Sequence, residues 1–224
     1  WLLPIVAAEV AAVSGALLAP HLDTSEGFVA LILGYALWAY SVPLAMSILV
    51  LLVLRLALHK LPPRDMGASA WLALGPIGTG ALGLALLGAD APSIFAANGF
   101  GGLGDVALGL GIIGATLMWG YGVWWLSLAV LKTLRYFNEG LPFNLGWWGF
   151  TFPLGVYSLA TLALARATHL AFFSVIGGCL VACLAAFWIV VTSRTLKGAW
   201  TLSLFVAPCL SDTPLQARFE ADTV

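Results

Sequence analysis

One carboxylate, Glu9, sits deep inside an apolar run, "WLLPIVAAEVAAVSGALLAP" at residues 1–20. A carboxyl group there has two uses: it can take up and release a proton in a coupled cycle, or, when neutral, donate a hydrogen bond to a neighbouring helix. Both readings stay open on the sequence, and no Lys or Arg lies at comparable depth in any run to serve as an ion-pair partner. The other reactive side chains are sparse. His21, His59 and His169 fall at the edges of apolar runs, and "HLD" (21–23) offers His21 and Asp23 as metal ligands without a third. A zinc site needs at least three protein ligands, so no metal is expected. Cys179 and Cys183 stand in an apolar stretch, where cysteine behaves as a small hydrophobe. No Ser/His/Asp or Cys/His arrangement can be assigned, so no catalytic residue and no cofactor is expected.

"GTGALG" (78–83) matches the GxGxxG dinucleotide pattern. That pattern binds a pyrophosphate only at a turn between a strand and a helix. Here it follows Pro76 inside an unbroken apolar run, so its glycines are expected to pack or to line a passage. The net charge of −1 gives no basic footprint for nucleic acid.

Composition fixes the solvent. The chain is 62% hydrophobic and 8% charged, with a mean hydropathy of +1.03, whereas soluble domains carry roughly 25% charged residues. Runs of about 20 apolar residues cross the ~30 Å hydrocarbon core as helices. Strands of a barrel would need ~10-residue alternating segments, which are absent. An all-α membrane protein follows, because a spanning backbone must satisfy its own hydrogen bonds.

Six transmembrane helices are predicted, at roughly 1–20, 28–58, 68–89, 104–137, 145–166 and 169–195. Short connections make them three antiparallel hairpins. Residues 1–200 are expected to form a membrane domain and 201–224 a cytoplasmic tail. The first run starts with Trp, has no basic n-region and no cleavage site. It therefore reads as a spanning helix rather than a signal peptide, one entered without a start, with earlier spans expected before it.

Charge orients the hairpins. Arg55, Lys60, Arg64, Lys132, Arg135, Arg194, Lys197 and Arg218 share one side, and Arg166 falls on the other. The positive-inside rule makes the basic side, and the C-terminus, cytoplasmic; Asp23, Glu26, Asp90 and Asp105 face out.

The odd and even runs differ in texture. Pro4, Pro76 and Pro153 recur at near-equal intervals, with Gly15, then Gly75, Gly78, Gly80 and Gly83, then Gly149 and Gly155 nearby. The even runs are long and bulky, although Pro43 interrupts the second. A hairpin-sized repeat is the internal symmetry common in transporters. Proline removes a helix hydrogen bond, and such a break survives in a membrane where it is buried or lines a cavity. Kinked inner helices and long outer helices are therefore expected, either enclosing a passage or simply packing closely. Trp119, Trp124 and Trp125 read as lipid-facing or interfacial bulk, Trp147 and Trp148 as interfacial anchors, and Phe150 and Phe152 on composition as core.

Four ordered segments carry a resemblance: "WLLPIVAAEVAAVSGALLAPH" (1–21), "ALGPIGTGALGL" (73–84), "MWGYGVWW" (118–125) and "WWGFTFPLGVYSLAT" (147–161). Together they resemble the tellurite-resistance/dicarboxylate transporter family. That family includes slow anion channels, malate permeases and sulfite efflux pumps, and the last segment looks closest to the sulfite and malate branches. The resemblance implies ten spans in five hairpins, of which this chain holds the last three, in a homotrimer with one pore per subunit. It implies a multi-pass protein of the plasma or inner membrane that moves small anions and is not an enzyme. It also implies that Pro4, Gly15, Gly75, Pro76, Gly78, Gly80, Gly149 and Pro153 line the pore. Phe152, the residue before the proline of the fifth run, would be the ring that occludes it. A proton-coupled carrier using Glu9, a non-transporting scaffold and an intramembrane enzyme dependent on His21 or Asp23 are the alternatives.

Overall fold

A computed structural model describes residues 2–59, 66–138 and 140–201. Lys60, Arg64, Arg218 and the tail beyond residue 201 lie outside the described residues. The order is α1 (Leu2–Leu18), a 3-10 turn (Ala19–His21), α2 (Thr24–Leu58), α3 (Ser69–Leu72), α4 (Leu74–Ala89), α5 (Ala91–Ala97), α6 (Gly101–Asn138), a 3-10 segment (Leu145–Phe150), α7 (Thr151–Thr168) and α8 (Ala171–Trp200). Six helical segments are long and apolar enough to span a bilayer; α3 with α4 makes the third, and the 3-10 segment with α7 the fifth. The short α5 has no counterpart among the expected spans. Pro92 stands in its first turn, where a missing N–H costs nothing, and Gly99 closes it at φ +84°.

The hairpins are α1–α2, α4–α6 and α7–α8, and α4 packs against α1, α2, α6 and α7 together. The third span is 78% buried, the second and fourth 22% each and the sixth 11%. The glycine-rich α4 is thus the axis of the packing, and α2, α6 and α8 form its shell. The fifth span, at 50%, is intermediate, whereas the first, at 28%, is scarcely more buried than the shell.

Glycine makes this arrangement possible where backbones meet. A Cβ on Gly88 would lie 2.9 Å from the Ala107 carbonyl oxygen and 3.1 Å from Gly111 Cα, so α4 and α6 cross nearly backbone to backbone. Helices in lipid associate by such close packing because the bilayer supplies no hydrophobic drive between them.

The prolines act at helix starts. Pro76 is the third residue of α4 and Pro153 the third of α7. Neither can donate to the carbonyl four residues earlier, Leu72 or Gly149. At those points the spans loosen, into the break at Ala73 and into the 3-10 segment before Thr151. Ala73 and Phe150 keep helical dihedrals (φ −66°, ψ −26° and φ −77°, ψ −26°), so each span stays helical across the change.

Several tryptophans take different places from those expected. Trp125 is buried rather than lipid-facing, because its Nε1 donates to the Ala70 carbonyl at 2.8 Å. Trp119 stacks on Tyr157 and donates to Thr161 Oγ1 at 3.0 Å, which draws it inward; Trp124 remains exposed. Trp147 is buried under the Arg194 guanidinium, 5.1 Å from its ring, while Trp148 stays at the surface. An indole N–H needs an acceptor once buried, and each inward ring has one: Trp147 Nε1 donates to the Pro142 carbonyl at 3.0 Å.

Arg55, Lys132, Arg135, Arg194 and Lys197 lie toward the C-terminal ends of α2, α6 and α8, which point the same way because an antiparallel partner precedes each. Arg166 closes α7 at the opposite end.

Candidate functional site

The sequence singles out Phe152, and its position follows from the start of α7. Asn144 accepts from Gly146 N at 2.8 Å and begins the 3-10 segment. That segment turns Phe150 inward, where it is fully buried against Trp71, Trp147 and Phe187 at ring separations of 5.4 to 5.7 Å. Two residues on, Phe152 points elsewhere and is 46% exposed. A Cβ built on Gly75 would sit 3.7 Å from Phe152 Cε1, so the ring lies beside the first turn of α4.

The surroundings of α7 locate its open stripe. Gly155 and Leu162 face α8, meeting Leu184 and Gly177, and Val156 faces α4 at Gly78. Between those edges Phe152 and Leu159, two helical turns apart, are both exposed. α1 also leaves one side uncovered, at Pro4, Ala7, Ala11 and Ser14, while Glu9 and Val13 face α4.

Glu9 is fully buried. Its Oε2 is in hydrogen-bond contact with Thr79 Oγ1, and the Thr79 hydroxyl also reaches the Gly75 carbonyl at 2.9 Å. A hydroxyl has one hydrogen. If that hydrogen goes to Gly75, the proton between Thr79 and Glu9 must come from the carboxyl group, which makes Glu9 the donor. The second carboxyl oxygen, Oε1, is buried without a partner. Glu9, Thr79, Gly75 and Phe152 therefore form a continuous line from α1 across α4 to α7.

The sequence reading missed Thr79. Its signal was available: it is the one hydroxyl residue in "ALGPIGTGALGL", one helical turn after Gly75.

The other singled-out residues are dispersed. Gly78 lies where a Cβ would be 2.8 Å from Tyr157 N, and Gly80 where it would meet Met118, with Trp38 Nε1 donating to the Gly80 carbonyl at 2.9 Å. Gly15 faces the Ala30 carbonyl of α2, and Gly149 faces Leu72 of α3 and Ala68 just before it. Pro76 and Pro153 are buried and Pro4 is exposed. Neighbouring chain thus occupies the space beside Gly78 and Gly80, which gives both a close-packing role in this structure.

His21 and Asp23 are exposed beside the 3-10 turn, Cys179 and Cys183 are exposed on α8, and no group of metal-ligating side chains exists among the described residues. "GTGALG" lies wholly within α4 and makes no turn.

These features define a helical, multi-pass integral membrane protein with a glycine-rich central span. The chain belongs to the voltage-dependent anion channel family, whose model matches residues 1–196, and this places it with transport proteins rather than enzymes. It is 40% identical over 209 residues to a sulfite efflux pump of Trichophyton rubrum, covering 92% of this chain and 55% of the pump. It is 41% identical, with the same coverage, to a sulfite efflux pump of Arthroderma otae. An uncharacterized transporter of Methanocaldococcus jannaschii is 30% identical over 206 residues, 92% of this chain and 57% of that protein. The chain spans about half the length of the curated relatives it matches. No solved structure matches it.

Proposed function

We propose that the protein carries small anions across a membrane, with sulfite the first candidate and C4-dicarboxylates such as malate the second. The passage runs along the uncovered sides of α1 and α7 beside α4, and Phe152 occludes it. The observation that supports this reading is the placement of one half-exposed ring beside a bare glycine at a proline-loosened helix start. The sulfite efflux pumps among the relatives support the choice of substrate.

An anion leaving water must recover its hydration energy from dipoles or cations. No Lys or Arg lies mid-span among the described residues. The remaining source of positive potential is the helix dipole at the starts of α4 and α7, weaker than at a free terminus because the chain stays helical through Ala73 and Phe150, and Phe152 lies at both. A phenyl ring offers an anion no substitute for water, so it blocks the passage until it moves. Pro4, Gly15, Gly75, Pro76, Gly149 and Pro153 stay in the proposed lining set, with Gly75 the member closest to the ring, while Gly78 and Gly80 pack against neighbouring helices instead.

A proton-coupled carrier is the second reading, supported by the contact of Glu9 with Thr79 next to Gly75. A homotrimer in the plasma or inner membrane, with residues 1–200 as membrane domain and a cytoplasmic tail at 201–224, completes the proposal. The test is anion flux into liposomes holding the full-length protein, run with sulfite, malate, nitrate and chloride. Sulfite flux above that of protein-free liposomes is expected; no flux of any of the four would overturn the reading.

A further inference from the structure

A second feature lies away from Phe152, at the basic end of the bundle. There α2 and α6 part to leave a groove of about 430 Å³. Its floor is Ala70 and Trp125, and its walls include Val53, Leu56 and Leu128. Trp125 is 2% exposed and its N–H is already engaged by Ala70, so the groove receives only the apolar face of the indole. The lining is apolar throughout except at one end, where Lys132 and Arg135 stand. Arg55, near the end of α2, is close enough to bear on Lys132 as a like charge. Lys132 itself is half-buried, its Nζ 5.5 Å from the Tyr136 ring centroid. The described carboxylates lie elsewhere: Glu9 is buried against α4, and Asp23, Glu26, Asp90 and Asp105 stand near the opposite helix ends.

We propose that this groove is a binding site for an anionic glycerophospholipid, its acyl chain along Leu56, Leu128 and Trp125 and its phosphate between Lys132 and Arg55. Two like charges brought together from different helices at the edge of a low-dielectric groove repel each other, and a phosphate between them turns that repulsion into attraction. The apolar length of the groove selects a lipid over a free anion. A zwitterionic headgroup would bring a third cation to the same place. Basic pockets between spanning helices on the cytoplasmic side are where acidic headgroups are recognised, and the distribution of Lys and Arg assigns this end to that side. The site is separate from the anion passage: apart from Ala70 on α3, its residues lie on the shell helices α2 and α6, and neither Phe152 nor Glu9 lines it.

The test uses the full-length protein in a neutral detergent, with thermal unfolding as the readout, because a ligand bound to the folded state raises Tm. Phosphatidylglycerol should raise Tm, and phosphatidylcholine and inorganic phosphate should not. Lys132→Gln combined with Arg55→Gln should reduce the shift several-fold. Leu128→Trp, which fills the groove and leaves its cations in place, should reduce it as well, and Lys197→Gln on α8 should leave it unchanged. Equal shifts from the two lipids, a full shift from inorganic phosphate alone, or a full shift in both groove variants would overturn the proposal.

Discussion

The Phe152 ring lies beside Gly75: a methyl group on that glycine would be 3.7 Å from Phe152 Cε1, an ordinary van der Waals contact. The ring is also 46% exposed, so much of its surface is left unpacked. An aromatic side chain fixed by a full jacket of neighbours cannot serve as a movable plug, and Phe150, two residues earlier and fully buried, shows what such a jacket looks like.

Phe152→Ala is therefore expected to increase anion flux with little loss of stability. Truncating a buried Phe costs about 3–5 kcal/mol, and a half-exposed ring should cost well below that. Flux per reconstituted protein, measured in liposomes for wild type and variant side by side, decides the matter; equal rates would remove Phe152 from the occlusion.

Gly75 and Gly78, one helical turn apart, should respond differently to alanine. At Gly78 the new Cβ would lie 2.8 Å from Tyr157 N and 3.0 Å from its Cα, and backbone cannot rotate aside. Overpacking of this kind costs about 1–3 kcal/mol, so Gly78→Ala should lower Tm. Gly75→Ala meets only the edge of Phe152 and should leave Tm near the wild-type value. Thermal unfolding in detergent compares the pair, and the same Tm for both would show that α4 and α7 do not meet at Gly78.

Glu9 and Thr79 test the two transport mechanisms and the hydrogen-bond assignment together. Glu9→Gln keeps a donor facing Thr79 and should preserve the fold, whereas Thr79→Val leaves both carboxyl oxygens unpartnered at a cost of about 1–3 kcal/mol. Thr79→Ser should restore the wild-type Tm. In liposomes under a pH gradient, a coupled carrier loses its pH-driven uptake on Glu9→Gln and a passive channel keeps its flux. The rate ratio across the gradient is the measurement that separates them.

His169 ends α7 in the left-handed region at φ +54°, with its N–H donating to the Ala165 carbonyl at 3.0 Å. A side chain in that conformation is disfavoured, and glycine is the usual residue at a helix end of this shape. His169→Gly should raise stability by up to about 1 kcal/mol, read as a higher Tm with unchanged flux. A lower Tm would mean that the imidazole holds the α7–α8 turn by contacts stronger than its backbone strain.

Composition and run length alone determined the solvent, the number of spans and nearly all their boundaries. About 20 apolar residues without a charge have only one stable arrangement in a bilayer, so these features need no knowledge of neighbours. Pro76 and Pro153 likewise marked where the third and fifth spans change their helical hydrogen bonding, whereas Pro4 lies within the regular helix α1. Which face of each helix turns inward was left to the tertiary structure. In lipid the outer and inner faces are both apolar, so the periodicity that separates core from surface in water is absent. For that reason Trp125 and Trp119 went inward against a reading based on bulk, Trp147, expected as an interfacial anchor, is buried, and Thr79 went unnoticed until α1 brought Glu9 to it. Backbone proximity, set by glycine and by hydrogen bonds between spans, made those choices.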